Sequence, residues 1–171
     1  YNSENKNYYQ TDVQEEVLHI MKGINTKRPN IKTVVIDTLN GIMVADEMRR
    51  MKERGYDKWV DLAFSVYSII DYALTMRQDL TVVFVCHSQT VRDDNGYNFT
   101  HIKTNGQKLQ KIGLETKMPI LLHAKCLDGQ YVFETQANFS TAKTPLGLFE
   151  EKTIPNDIAA VIKAIEDFEN G

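Results

Sequence analysis

Thr33-Val34-Val35-Ile36-Asp37 is a short apolar, β-branched run that ends in a carboxylate. Such a run reads as a buried parallel strand rather than a half-solvated one. Thr81-Val82-Val83-Phe84-Val85-Cys86 has the same character. Between the two, residues 42–54 read as a helix charged on one side, and Gly55 interrupts. A second helix is expected from about Asp57 to Arg77. Trp59, Leu62, Ala63, Val66, Ile69, Ile70, Ala73 and Leu74 give it an apolar stripe at helical spacing. Strand, helix, strand in that order favours a right-handed parallel crossover and an α/β fold.

Upstream, residues 1–11 are polar and read as a loop. Asp12 is placed to cap a helix through about Asn25, with Val13, Val17, Leu18, Ile20 and Met21 as its apolar face. Lys27-Arg28-Pro29-Asn30 breaks it. Downstream, residues 88–108 hold Gly96, Gly106, several Asn and mixed charges without periodicity. They read as a long, mobile, functional loop that ends in a helix near 106–115. Two strands follow, Ile120–Ala124 and Gln130–Thr135, joined by Leu127-Asp128-Gly129 as a hairpin signal. Residues 136–154 read as loop. A last helix is expected from Pro155, with Ile158, Val161, Ile162, Ile165 and Phe168 on its apolar face.

The 171 residues read as one domain, and their 42% hydrophobic and 25% charged shares are those of a soluble globular protein. Disorder, collagen and a disulfide scaffold are excluded. No apolar run approaches the ~18 residues of a membrane span, so no membrane partner is expected. A net charge of −3 argues against wholesale coating of nucleic acid, although a local basic loop can still bind it. Cys86 and Cys126 read as free thiols in a reducing, cytoplasmic compartment. The missing initiator Met reads as the mark of a fragment or a processed product.

Four segments carry candidate chemistry. Asp37 stands at the carboxyl end of a strand, where ligands bind in open α/β sheets. A carboxylate there suits Mg²⁺, directly or through water, with Thr38 assisting by hydrogen bonding. Cys86-His87-Ser88-Gln89 ends the next strand, so His87, Ser88 or Gln89 could meet a γ-phosphate or an attacking water. Arg92, His101, Lys103, Lys108 and Lys111 alternate with Tyr97 and Phe99. Cations with aromatics suit single-stranded DNA, while Asp93 and Asp94 dilute the field. Lys143, in Ala142-Lys143-Thr144-Pro145-Leu146-Gly147, could reach a phosphate, even one in a neighbouring subunit.

Each segment also has an ordinary reading: a strand-end cap, hydrogen bonds that finish a strand, a solvated loop, a surface lysine. Cys86-His87 with His123 and Cys126 has zinc-ligand types. Adjacent strand residues point to opposite faces, however, and no CxxC pair occurs. The sequence contains no G-x-x-x-x-G-K-[ST], no G-x-G-x-x-G and no G-x-S-x-G.

TVVIDTLNGIM with DEMRRMKERGYDKW, TVVFVCHSQT, LLHAKCLDGQYVFETQ and AKTPLGLFEEKTIPNDIAAVIKAIEDFE span most of residues 11–169. Together they resemble phage and prophage RecA-like P-loop ATP-binding proteins of recombination. The resemblance implies a mostly parallel sheet flanked by helices, with a C-terminal β-hairpin and helix. It implies ATP and Mg²⁺ as cofactors, with Asp37 as the Walker B aspartate and metal ligand. Thr38 and Ser88 then lie beside the nucleotide and His87 at the sensor position, with His87 or Gln89 sensing the γ-phosphate. Residues 88–110 become a mobile DNA-facing loop with Arg92, Tyr97, Phe99, Lys103, Lys108 and Lys111 as its contacts. Lys143 becomes a trans-acting finger.

Implied partners are single-stranded DNA, further copies of the chain, and a phage single-strand annealing or single-strand-binding protein, in the cytoplasm of a bacterial host. Two departures stand out. The phosphate-binding loop that should precede these motifs is not in the chain, and Thr38 replaces a second acidic residue. The chain therefore reads as one RecA-like domain over 1–171 without its Walker A segment, inactive by itself. The alternative is a degenerate, non-catalytic P-loop-like module that binds protein or DNA.

Overall fold

The computed structural model describes residues 4–5, 7–92 and 94–171. Asp93 and part of the expected N-terminal loop (residues 1–3 and Lys6) lie outside them. The described chain forms two compact units. One runs through His87 and includes Thr104–Ile112; the other comprises Ser88–Lys103 and Gly113–Gly171.

The first unit contains α1 (Gln14–Lys27), β1 (Thr33–Asp37), α2 (Leu39–Arg49), α3 (Asp57–Ala73), β2 (Thr81–Val85) and α4 (Gln107–Ile112). β1 and β2 pair in parallel, from Thr33 opposite Thr81 to Asp37 opposite Val85. The predicted α3 stripe is its buried face: Leu62, Ala63, Val66, Ile69 and Ile70 are closed from solvent. α1 and α2 both pack on α3, adding Met21, Leu39 and Met43 to this core. Burial of each of the Val, Leu, Ile and Met side chains contributes roughly 1.5–3 kcal/mol. Arg77 fixes the end of α1 to the approach to β2. Its Nη1 donates to the Ile24 carbonyl at 2.9 Å, and its backbone N–H donates to Asn25 Oδ1 at 2.9 Å.

The second unit contains β3 (Ser88–Arg92), β4 (Asn98–Ile102), a 3₁₀ turn at Leu114–Lys117, β5 (His123–Leu127), β6 (Gln130–Glu134), β7 (Thr153–Pro155) and α5 (Ile158–Asn170). β3 and β4 form one antiparallel sheet, and β5-β6-β7 a second. The Asp-Gly signal is borne out. Leu127 faces Gln130 across a two-residue turn in which Asp128 and Gly129 have φ of 50° and 78°. Positive φ at both positions is the primed-turn geometry that matches strand twist. Asp157 caps α5, accepting from Ala159 N–H at 2.9 Å and Ala160 N–H at 3.2 Å.

The chain is mixed α/β and carries the expected C-terminal hairpin and helix. The mostly parallel sheet is not observed: β1–β2 is the only parallel ladder among the described residues, and both other sheets are antiparallel. Nor are the two parallel strands fully buried, since Val35 is 45% and Val85 38% exposed. With only two strands paired, one sheet face lacks cover. The segment read as loop over 88–108 forms the β3–β4 hairpin and begins α4. Its Thr, Val, Phe and Ile residues supply strand propensity that the surrounding polar residues obscure.

Several boundaries also shift for identifiable reasons. Asp12 does not cap α1; Val13 holds that position, with its N–H donating to Thr11 Oγ1 at 3.1 Å. α2 begins at Leu39 because Thr38 caps it. Pro155 pairs with Val132 in β7, so α5 starts after it. No helix among the described residues is long and apolar enough to cross a membrane.

Candidate functional site

The β1–β2 register puts the ends of both strands at one edge of the first unit. Asp37, the last residue of β1, has an exposed side chain. The next residue, Thr38, turns the chain into α2. Its Oγ1 accepts from Gly41 N–H at 3.0 Å, a helix-capping bond. Thr38 thus has a structural duty beside the role expected at a metal.

Asn40 then joins the two strand ends. It is 5% exposed, and its Oδ1 accepts from the His87 backbone N–H at 2.7 Å. This bond fixes the chain just beyond β2 relative to the start of α2. The His87 side chain is exposed at that edge. Asp37, Thr38, Asn40 and His87 therefore form one connected corner of the sheet. Sequence reading missed Asn40; its only cue was a polar residue just after the Thr38 cap.

Among the described residues, no three His, Cys, Asp or Glu side chains converge as a metal cage. The donor chemistry at the corner is one exposed carboxylate beside one hydroxyl. That set fits Mg²⁺, which takes one or two protein carboxylates and completes its shell with water and phosphate. It does not fit structural zinc. The sequence has no glycine-rich Walker loop to cradle the phosphates. Clefts of about 360 and 470 Å³ lie elsewhere, the first bordered by Lys125, Glu134 and Lys152 and the second by Asp46, Arg50 and Asp61.

Ser88 and Gln89 open β3 in the second unit. The Gln89 amide lies 3.2 Å from the His101 ring nitrogen across the hairpin, and Thr90 pairs with Thr100 at 2.9 Å. Arg92 Nε donates to the Gly96 carbonyl at 3.0 Å and closes the hairpin tip. Tyr97 and Phe99 are exposed. Tyr97 stacks on Phe139, with ring centroids 6.1 Å apart and an interplanar angle of 12°. Phe139 has φ of 54°, rare for a bulky residue, and its carbonyl accepts from Thr100 N–H at 2.8 Å. Sequence reading did not single out Phe139.

Lys143 is exposed, and its backbone exchanges hydrogen bonds with Leu121 at 2.8 and 2.9 Å. Lys108 and Lys111 belong instead to α4 of the first unit. The nucleic-acid set expected from sequence is thus divided between the units: Arg92, Tyr97, Phe99 and Lys103 in one, Lys108 and Lys111 in the other.

The second unit also holds a buried ionic cluster. Glu134 accepts from Lys125 Nζ and Ser140 Oγ, each at 2.7 Å, and lies 3.5 Å from His123 Nδ1. Burial alone would raise the Glu134 pKa. The bonds from Lys125 and Ser140, with the Lys125 charge, outweigh it and hold the carboxyl below its ordinary value. No known protein family, curated protein or solved structure matches this chain.

Proposed function

We propose that the first unit carries the Mg²⁺–nucleotide edge of a RecA-like P-loop ATPase that acts on single-stranded DNA in phage recombination or replication. One observation carries the reading: Asp37 ends β1, His87 lies two residues beyond the end of the parallel β2, and the 2.7 Å bond to Asn40 ties the two strand ends together. Ligands bind at the carboxyl ends of parallel strands because loops diverge there and leave a crevice.

In this reading Asp37 is the metal ligand, with Thr38 and Ser88 near the nucleotide. His87 or Gln89 senses the γ-phosphate, and Lys143 reaches a neighbouring copy in a homo-oligomer. Arg92, Tyr97, Phe99 and Lys103 of the second unit are strand contacts, and, separately, so are Lys108 and Lys111 of the first. Mg²⁺, when bound, would neutralise charge developing on the phosphates. The protein's share is positioning and fixed charge. A phage single-strand annealing or single-strand-binding protein is the accompanying partner, in the bacterial cytoplasm.

The test is ATP hydrolysis by the full-length protein with and without single-stranded DNA. Asp37→Ala should abolish the stimulated turnover; intact stimulated turnover refutes the metal assignment. A second reading, a binding module without hydrolysis, is favoured by the lack of any G-x-x-x-x-G-K-[ST] in these 171 residues. Calorimetry of this stretch with Mg-ATP separates the two, because micromolar affinity contradicts a pure scaffold.

A further inference from the structure

Residues 49–58 hold five cations (Arg49, Arg50, Lys52, Arg54, Lys58) and two carboxylates (Glu53, Asp57), in a chain whose net charge is −3. The first two arginines are consumed internally. Arg49 pairs with Asp12, and Arg50 with Asp46 at 3.2 Å and Asp61 at 3.1 Å. Lys52, Arg54 and Lys58 carry no ion pair among the described residues, and neither do Lys108 and Lys111 of α4. These five belong to one unit, with Lys52, Arg54 and Lys111 exposed.

Two aromatic rings lie among them. Tyr56 is 66% exposed; Lys108 Nζ stands 5.8 Å from its ring centre and 3.5 Å from its hydroxyl. Trp59 is overlaid by Lys58 at 5.2 Å. Gly106 sets this spacing, since a Cβ there would meet Trp59 Cε3 at 2.9 Å. The glycine lets the start of α4 approach the indole and so brings Lys108 to Tyr56. Each ring carries one lysine, and Tyr56 is the more exposed of the two.

We infer that Tyr56, with Lys108 at its ring, Lys52, Arg54 and Lys58 close to it in sequence and Lys111 one helical turn beyond Lys108, is a stacking platform for an unpaired base of single-stranded nucleic acid. An exposed ring beside unpaired cations matches a base and its flanking phosphates, whereas a duplex hides its base faces. The inference takes its single-stranded substrate from the proposed function, but not the hairpin contacts or the nucleotide site.

Trp59 is the only tryptophan, so its emission reports on this surface alone. The experiment titrates oligo(dT) into the 171-residue chain without nucleotide and follows Trp59 fluorescence. Emission should change saturably. Tyr56→Ala should weaken binding about tenfold, and Tyr56→Phe should restore it. The Lys58→Ala, Lys108→Ala double variant should flatten the log–log salt slope by about 1.4. Unchanged emission at saturating DNA overturns the inference, as does a Tyr56→Ala chain that binds like the parent. An equal, Tyr56-dependent response to polyglutamate also overturns it, by assigning the surface to acidic protein. If Arg92→Ala abolishes binding while Tyr56→Ala is neutral, the hairpin remains the contact and this platform falls.

Discussion

Replacing Asn40 by Ala removes the link between the two strand ends. The Asn40 side chain is buried at 5% exposure, and its Oδ1 is the acceptor for the His87 N–H at 2.7 Å. Ala cannot replace that acceptor. A partly buried donor left without a partner costs roughly 1–3 kcal/mol, more than the ~1 kcal/mol net value of an ordinary hydrogen bond. We therefore expect about 2 kcal/mol of destabilisation. For a urea m-value of roughly 2 kcal/mol/M, the midpoint falls by ~1 M.

Equilibrium unfolding in urea gives the global number, and amide hydrogen exchange gives the local one. His87 should lose protection in Asn40→Ala more than its neighbours in β2. Asn40→Asp keeps an oxygen acceptor and should retain most of that protection. An Asn40→Ala chain with unchanged midpoint and unchanged His87 exchange would refute the claim that this bond holds the corner together.

Glu134→Ala should cost about 3 kcal/mol, the low end for breaking a buried ion pair, because the Lys125 side chain keeps 25% exposure. Thermal unfolding measures it, and a loss below ~1 kcal/mol would make the cluster incidental. The Glu134 carboxyl is held below its ordinary value in the fold, so its stabilisation is fully present above the unfolded-state carboxyl pKa. It disappears as pH falls through the folded-state value, and Glu134→Gln should flatten that acid limb. Gly106→Ala places a Cβ 2.9 Å from Trp59 at φ +82°. It should destabilise by roughly 1–3 kcal/mol and shift Trp59 emission, whereas wild-type emission and stability would contradict the close packing.

The parts of the fold legible in sequence were those where one pattern acts alone. β1 and β2 are apolar β-branched runs, α3 has a helical stripe, and Asp128-Gly129 demands a primed turn. The β3–β4 hairpin was illegible because Ser88, Gln89, Arg92, Asn98 and His101 mask the alternation of Val91, Phe99 and Ile102. Asn95-Gly96 between these runs was the available cue. β7 is three residues long and owes its pairing to β6 rather than to propensity. At the candidate site, Asp37 and His87 were readable as strand ends. Asn40 was not, because its duty is a contact between residues 47 positions apart. The Tyr56 surface depends on α4 meeting the α2–α3 connection, a tertiary fact that local sequence does not encode.

The most direct test of the central claim substitutes Mn²⁺ for Mg²⁺ in a nucleotide complex of the full-length protein and maps paramagnetic broadening of backbone amides. The account predicts broadening centred on Asp37, Thr38 and His87 and its loss in Asp37→Ala. Broadening centred elsewhere, or unchanged by that substitution, would contradict it.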